Sequence, residues 1–121
     1  MNDTCVVSFI YPGIKKKIKR FFKSLTEQTD KNFDLIIFLN NLNTINLDYI
    51  NLNTKTIKLN SSIILSRFQM LNRLKKLNYK FIIFQDGDDT MKKNRISKCK
   101  NLLKKNSIVV NDLDIVNKKK I

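Results

Sequence analysis

Apolar positions along this chain switch repeatedly between a strand-like and a helix-like spacing. Residues 5–10 (Cys-Val-Val-Ser-Phe-Ile) form a continuous β-rich run, closed by Tyr11-Pro12-Gly13. Ile14, Ile18, Phe21, Phe22 and Leu25 then recur at helical spacing with lysines between them, which predicts an amphipathic helix. Residues 33–39 (Phe-Asp-Leu-Ile-Ile-Phe-Leu) read as a second strand. The Asn-rich stretch 40–53 reads as loop, with a short turn of helix at 47–50. Residues 54–59 alternate and predict a third, shorter strand. Ser61 or Ser62 is placed to cap a helix running to about Leu77, with Ile64, Phe68, Leu71 and Leu74 as its expected inner face. Residues 79–85 predict a fourth strand. A helix over about 92–105 is expected to bury Ile96, Cys99, Leu102 and Leu103. Residues 107–110 predict a last strand and 118–121 a frayed tail.

The resulting order is β-α-β-loop-β-α-β-α-β. Continuous apolar strands joined through helices imply a mostly parallel sheet covered on both faces. With right-handed crossovers this is an α/β fold, a Rossmann-like open sheet. Ligands bind such sheets beyond the carboxyl ends of the strands. Three of those ends are polar here: Tyr11-Pro12, Asn40-Asn41 and Asp86 to Asp89. They are expected along one rim. Neither repeats nor an internal boundary interrupt the pattern, so residues 1–121 read as a single domain.

Composition narrows the class. The chain has 121 residues, 42% of them apolar, which is enough for one core. It holds no tryptophan, and its scarcity of Gly and Pro argues against a sandwich rich in tight turns. No run of about 18 apolar residues is present, so no transmembrane helix is expected. The N-terminus lacks the basic-then-apolar layout of a signal peptide. Cys5 and Cys99, both in apolar contexts, read as reduced core residues. Without any histidine, a His-based triad is impossible. The net charge of +14 comes mostly from lysine. That excess fits attraction to nucleic acid, acidic membrane or phosphorylated ligands. It equally fits solvated helix faces in the product of an AT-rich genome. The lysines are scattered over every element and no aromatic-rich binding motif accompanies them, so no specific nucleic acid is expected.

Against this basic background, three of the ten acidic residues sit in one window, Asp86-Gly87-Asp88-Asp89. Carboxylates this close raise one another's pKa unless a cation or an array of donors offsets the charge. At the end of a buried strand they form a set of hard oxygen ligands, which suits Mg²⁺ or Mn²⁺ with phosphate completing the coordination. The competing reading is a polar turn in which Asp88 or Asp89 caps the next helix. Arg67 reads either as a ligand contact or as a solvated helix residue. Asn40-Asn41 reads as a ligand contact or a turn-forming pair, and Tyr11 as a ligand-stacking or a packing residue.

Ser66-Arg67 on a helix, followed by Tyr79-Lys80-Phe81-Ile82-Ile83-Phe84-Gln85-Asp86-Gly87-Asp88-Asp89, resembles the Ala-Arg-Asn helix, strand and Asp-X-Asp-Asp motif of the family 2 glycosyltransferases, which have the GT-A fold. Residues 6–11 are similar to that family's first nucleotide-binding strand and residues 35–41 to its second. Residues 91–103 and 108–110 resemble the helix and strand after the metal motif. The resemblance implies metal-assisted transfer of a sugar from a nucleotide-diphosphate donor, UDP- or GDP-linked, to a glycan or lipid-linked acceptor in bacterial surface polysaccharide synthesis. It implies that Asp86 contacts the nucleotide and shares Mn²⁺ or Mg²⁺ with Asp88. It further implies that Asp89 orients the loop or donor sugar, that Arg67 contacts the donor, and that Tyr11 and Pro12 shape the base pocket beside Asn40 and Asn41.

The chain departs from the family at definite positions. Gly13 follows Tyr11-Pro12 and no Asn comes after it. Asn40 and Asn41 stand where carboxylates are usual, and Phe68 stands where Asn follows Arg. The family's acceptor site and catalytic base lie in a further stretch beyond the region matched here. Asp112 and Asp114 do not read as that base, so no catalytic residue is assigned. The resemblance therefore implies the nucleotide-sugar-binding part alone, inactive by itself or completed by a partner chain that supplies the missing half. The expected location is the cytoplasm, at the inner face of the cell membrane. The alternative is a non-catalytic basic α/β module that binds phosphorylated or acidic partners.

Two other motifs fail. Asp86-Gly87-Asp88-Asp89-Thr90 fits the Asp-X-Asp-X-Thr pattern of haloacid dehalogenase-like phosphatases, but that motif ends a first strand and needs a long stretch after it. An EF-hand loop would need Gly and Glu where Met91 and Ser97 stand.

Overall fold

The computed structural model describes residues 2–14, 17–47 and 50–106. Four strands are present among them: β1 (Thr4–Ile10), β2 (Asp34–Asn40), β3 (Thr54–Leu59) and β4 (Phe81–Phe84). They form one all-parallel sheet in the order β3-β2-β1-β4. Three helices accompany it: α1 (Ile18–Thr26), α2 (Ile63–Lys75) and α3 (Arg95–Leu103), with a short 3-10 turn over Pro12–Ile14. The expected strand at 107–110 and the tail lie outside the described residues. The α/β, Rossmann-like expectation holds.

Both faces of the two central strands are covered because these strands are apolar on both sides, whereas β3 and β4 are only partly buried. Every residue of β1 and β2 is buried. Val6, Ile10, Leu35, Ile37 and Leu39 pack with Phe21, Phe22 and Leu25 of α1 and Ile96 of α3. Cys5, Val7, Phe9, Ile36 and Phe38 face the other way, onto Met70 and Leu74 of α2. The stretch between β2 and β3 crosses the α1 face, where Leu42, Ile45, Leu47 and Leu52 pack against the first cluster. Of the expected turn at 47–50, residues 48 and 49 lie outside the described residues, and the Ile50 N–H donates to the Leu47 carbonyl at 3.0 Å.

Helix α2 corrects the predicted inner face. Ser66, Met70 and Leu74 are buried, whereas Ile64, Phe68 and Leu71 are exposed. The helix carries two apolar stripes, and spacing alone does not choose between them. The choice is made by a polar lock: the Ser66 hydroxyl donates to Asn40 Oδ1 at 2.6 Å, turning the Ser66 stripe inward. Leu102 also differs from expectation, being exposed at the end of α3, while Ile96 is buried and Cys99 and Leu103 are partly so. Cys5 is buried and both cysteines are free thiols. Burial pushes the Cys5 thiol up to about 12, with Asp34 nearby adding to the effect.

Strand direction sets the site. From β1 through α1 the chain moves to β2 and β3, then α2 carries it back across to β4 on the far side of β1. Right-handed crossovers in opposite directions put α1 and α2 on opposite faces. The order reverses between β1 and β4, so a crevice opens at their carboxyl ends.

Candidate donor and metal site

The acidic window begins two residues after β4, at that crevice. The Gln85 N–H continues the ladder to the Val7 carbonyl at 3.0 Å. The chain then turns, and the Asp89 N–H reaches the Asp86 carbonyl at 3.2 Å. Gly87 sits buried under the turn. A Cβ there would meet Ile14 Cδ1 at 3.1 Å, Ile10 Cγ1 at 3.2 Å and Ser8 Oγ at 3.3 Å. A side chain at 87 would therefore push the window off the end of β1.

Asp86, Asp88 and Asp89 each bring a carboxylate oxygen within 4.8 Å of the others. Asp86 is exposed and the other two are half-buried. Burial raises the Asp89 pKa first, and the neighbouring Asp88 and Asp86 charges raise it further. Three converging hard oxygen donors at a solvent-facing crevice fit Mg²⁺ or Mn²⁺ well. Neither Asp88 nor Asp89 caps a helix, since α3 begins at Arg95 with Asn94 as its N-cap. The polar-turn reading thus loses its capping role.

The segment after the window is fastened by residues that the apolar pattern does not single out. Gln28 is buried; its Nε2 donates to the Lys92 carbonyl at 2.7 Å and to the Ser24 carbonyl at 3.1 Å. Its Oε1 accepts from the Ile96 N–H at 3.1 Å. Ser24 Oγ accepts from the Met91 N–H at 3.1 Å. Arg95 reaches back with Nη2 to the Phe84 carbonyl at 3.4 Å. A glutamine following an amphipathic helix is the one available signal, and it is a weak one.

The remaining predicted residues line the same rim with different roles. Val7 pairs with Phe84, so Phe9 stands level with Asp86 along the strand direction. The Arg67 guanidinium lies 4.8 Å from the centroid of the Phe9 ring, a cation–π contact. Tyr11 packs beside Phe9 with ring centroids 6.2 Å apart, and Pro12 is exposed next to it. Asn40 is buried, and its carboxamide is held by the Ser61 carbonyl at 3.1 Å and by Ser66. Asn41 is exposed and takes a positive φ of 56°, a left-handed conformation that Asn tolerates better than most residues.

Searches of family models and of curated proteins found no match. Solved structures do match. Staphylococcus aureus TarS, a glycosyltransferase, superimposes with a TM-score of 0.65 and 21% identity, over 86% of this chain and 20% of its own. A TarS structure covering residues 1–349 gives 0.68 and 21%, over 86% of this chain and 32% of that one. The fold is glycosyltransferase-like. At this identity the likeness speaks for the fold alone, the α/β arrangement of GT-A type. This chain spans about a third or less of the length of the structures it matches. No helix among the described residues is long and apolar enough to cross a membrane.

Proposed function

We propose that this chain is the nucleotide-sugar-binding part of a family 2-like glycosyltransferase. The reaction class is metal-assisted transfer of a sugar from a UDP- or GDP-linked donor to a glycan or lipid-linked acceptor. The observation that carries this reading is the convergence of Asp86, Asp88 and Asp89 at the carboxyl end of β4, where the strand order reverses.

Each residue has a physical task in this proposal. Asp88 and Asp86 hold the cation, and Mn²⁺ or Mg²⁺, when bound, offsets the charge of the diphosphate leaving group. Asp86, the exposed member, also faces the nucleotide. Asp89 keeps the turn and orients the donor sugar. Arg67, spread on Phe9, brings positive charge to the rim. Tyr11, Pro12 and Asn41 shape the base side, while Asn40 fixes the end of β2 against α2. Acceptor binding and the base that activates the acceptor are not assigned to any residue of this chain.

Calorimetric titration with UDP and GDP, in the presence and absence of Mn²⁺, tests the reading. Metal-dependent nucleotide binding is expected. Strong, salt-sensitive binding to nucleic acid with no nucleotide binding would favour the basic module instead.

A further inference from the structure

The outer face of α2 carries large exposed apolar side chains. Ile64 is 73% exposed and Phe68 62%, and Leu65 and Leu71 are exposed beside them. Phe84 of β4 lies on the same side of the sheet, since its partner Val7 faces α2, and it too is exposed. Ile64, Phe68 and Leu71 form an exposed apolar ridge on the helix. At 100° per residue, Ile64, Phe68 and Leu71 fall together on one flank of the helix.

The helix that carries the ridge bears charge of one sign. No Asp or Glu occurs between Asp48 and Asp86. Arg67, Arg73, Lys75 and Lys76 rise from the helix that carries the ridge. On the β3 side, Arg73 and Lys76 join Lys58, Asn60, Gln69 and Asn72 around a hollow of about 360 Å³. Three cations and three carboxamides lining one hollow suit a phosphate. A net charge of +14 opposes pairing this face with a second copy.

We propose that the outer face of α2 docks on an anionic lipid bilayer. The ridge of Ile64, Phe68 and Leu71 enters the boundary between headgroups and acyl chains, and the flanking cations engage lipid phosphates. This is the arrangement of an interfacial amphipathic helix, in which apolar insertion and attraction to acidic lipid add together. The docking requires nothing of the acidic window, so it stands or falls separately from donor binding.

Flotation with phosphatidylcholine vesicles, with and without phosphatidylglycerol, tests the proposal. The chain should float with the anionic vesicles, remain in solution with the neutral ones, and be released by salt. The double substitution Ile64→Gln/Phe68→Gln, at exposed positions, should weaken binding about tenfold or more. Arg73→Gln and Lys76→Gln should each weaken it about fivefold. No flotation with anionic vesicles would overturn the proposal. So would undiminished binding of both sets of variants, which would assign the attraction to lysines elsewhere. Self-association in solution that Ile64→Gln/Phe68→Gln abolishes would make the face a protein interface and equally overturn it. Should the apolar double variant fail to fold, the Arg73 and Lys76 variants decide alone.

Discussion

The Ser66 hydroxyl donates to Asn40 Oδ1 at 2.6 Å in a buried contact between α2 and the end of β2. It sets the rotation of α2 and thereby decides which apolar stripe is covered. Ser66→Ala would leave the Asn40 oxygen buried without this donor. The expected loss is about 1–3 kcal/mol of stability, the cost of an unsatisfied buried acceptor. Urea unfolding of wild type and variant measures it. Ser62→Ala, which removes the N-cap bond to the Leu65 N–H, should cost about 1 kcal/mol.

Asp34 organises the opposite end of the sheet. It accepts from Tyr79 Oη at 2.6 Å, Asn2 Nδ2 at 2.8 Å and Asn53 Nδ2 at 2.9 Å. Burial by itself raises its pKa, but these donors outweigh burial and hold it below the usual carboxylate range. A depressed pKa means that the unfolded chain takes up protons first. The stabilisation is therefore complete above about pH 4 and is lost as pH falls through the native value. Asp34→Asn should lower stability at neutral pH and flatten the acid limb of the unfolding profile. Thermal melts from neutral to strongly acidic pH read both.

Asp89 has the opposite sign. Its pKa is raised, by burial and then by the charges of Asp88 and Asp86. Protons and cation compete for this cluster, so Mn²⁺ affinity should fall as pH drops through the raised value. Asp89→Asn should bind Mn²⁺ more weakly at neutral pH and with a flatter pH dependence. Calorimetry of Mn²⁺ alone at a series of pH values gives the comparison.

Where one apolar stripe opposes one polar stripe, the sequence is sufficient. Ile18, Phe21, Phe22 and Leu25 leave α1 a single way to face the sheet, and all four are buried, as is Ile14 in the 3-10 turn before the helix. The largely apolar runs of β1 and β2 likewise announce strands covered on both sides. For α2, with apolar residues around most of its circumference, rotation depends on Ser66 meeting a residue 26 positions away. Such a long-range polar pair leaves no periodic trace. The acidic window was legible because an apolar strand ends in it, although β4, expected to be buried, stands at the edge of the described sheet with only Ile83 buried and Phe84 exposed. Its fastening by Gln28 was not, because the contacts run to backbone groups 64 and 68 positions away. An aspartate within an apolar strand, as at Asp34, signals a buried hydrogen-bonded hub, but its donors at Asn2, Asn53 and Tyr79 emerge only in the fold.

The central claim is that Asp88 holds a cation through which this crevice binds a nucleoside diphosphate. Calorimetric titration of UDP and GDP into wild type and Asp88→Ala, at saturating Mn²⁺, tests it most directly. Wild type should bind one of the two nucleotides only when Mn²⁺ is present, and Asp88→Ala should lose at least about tenfold in affinity, as expected when a metal ligand is removed. Nucleotide binding that is absent in wild type, independent of Mn²⁺, or unchanged in Asp88→Ala would contradict the account.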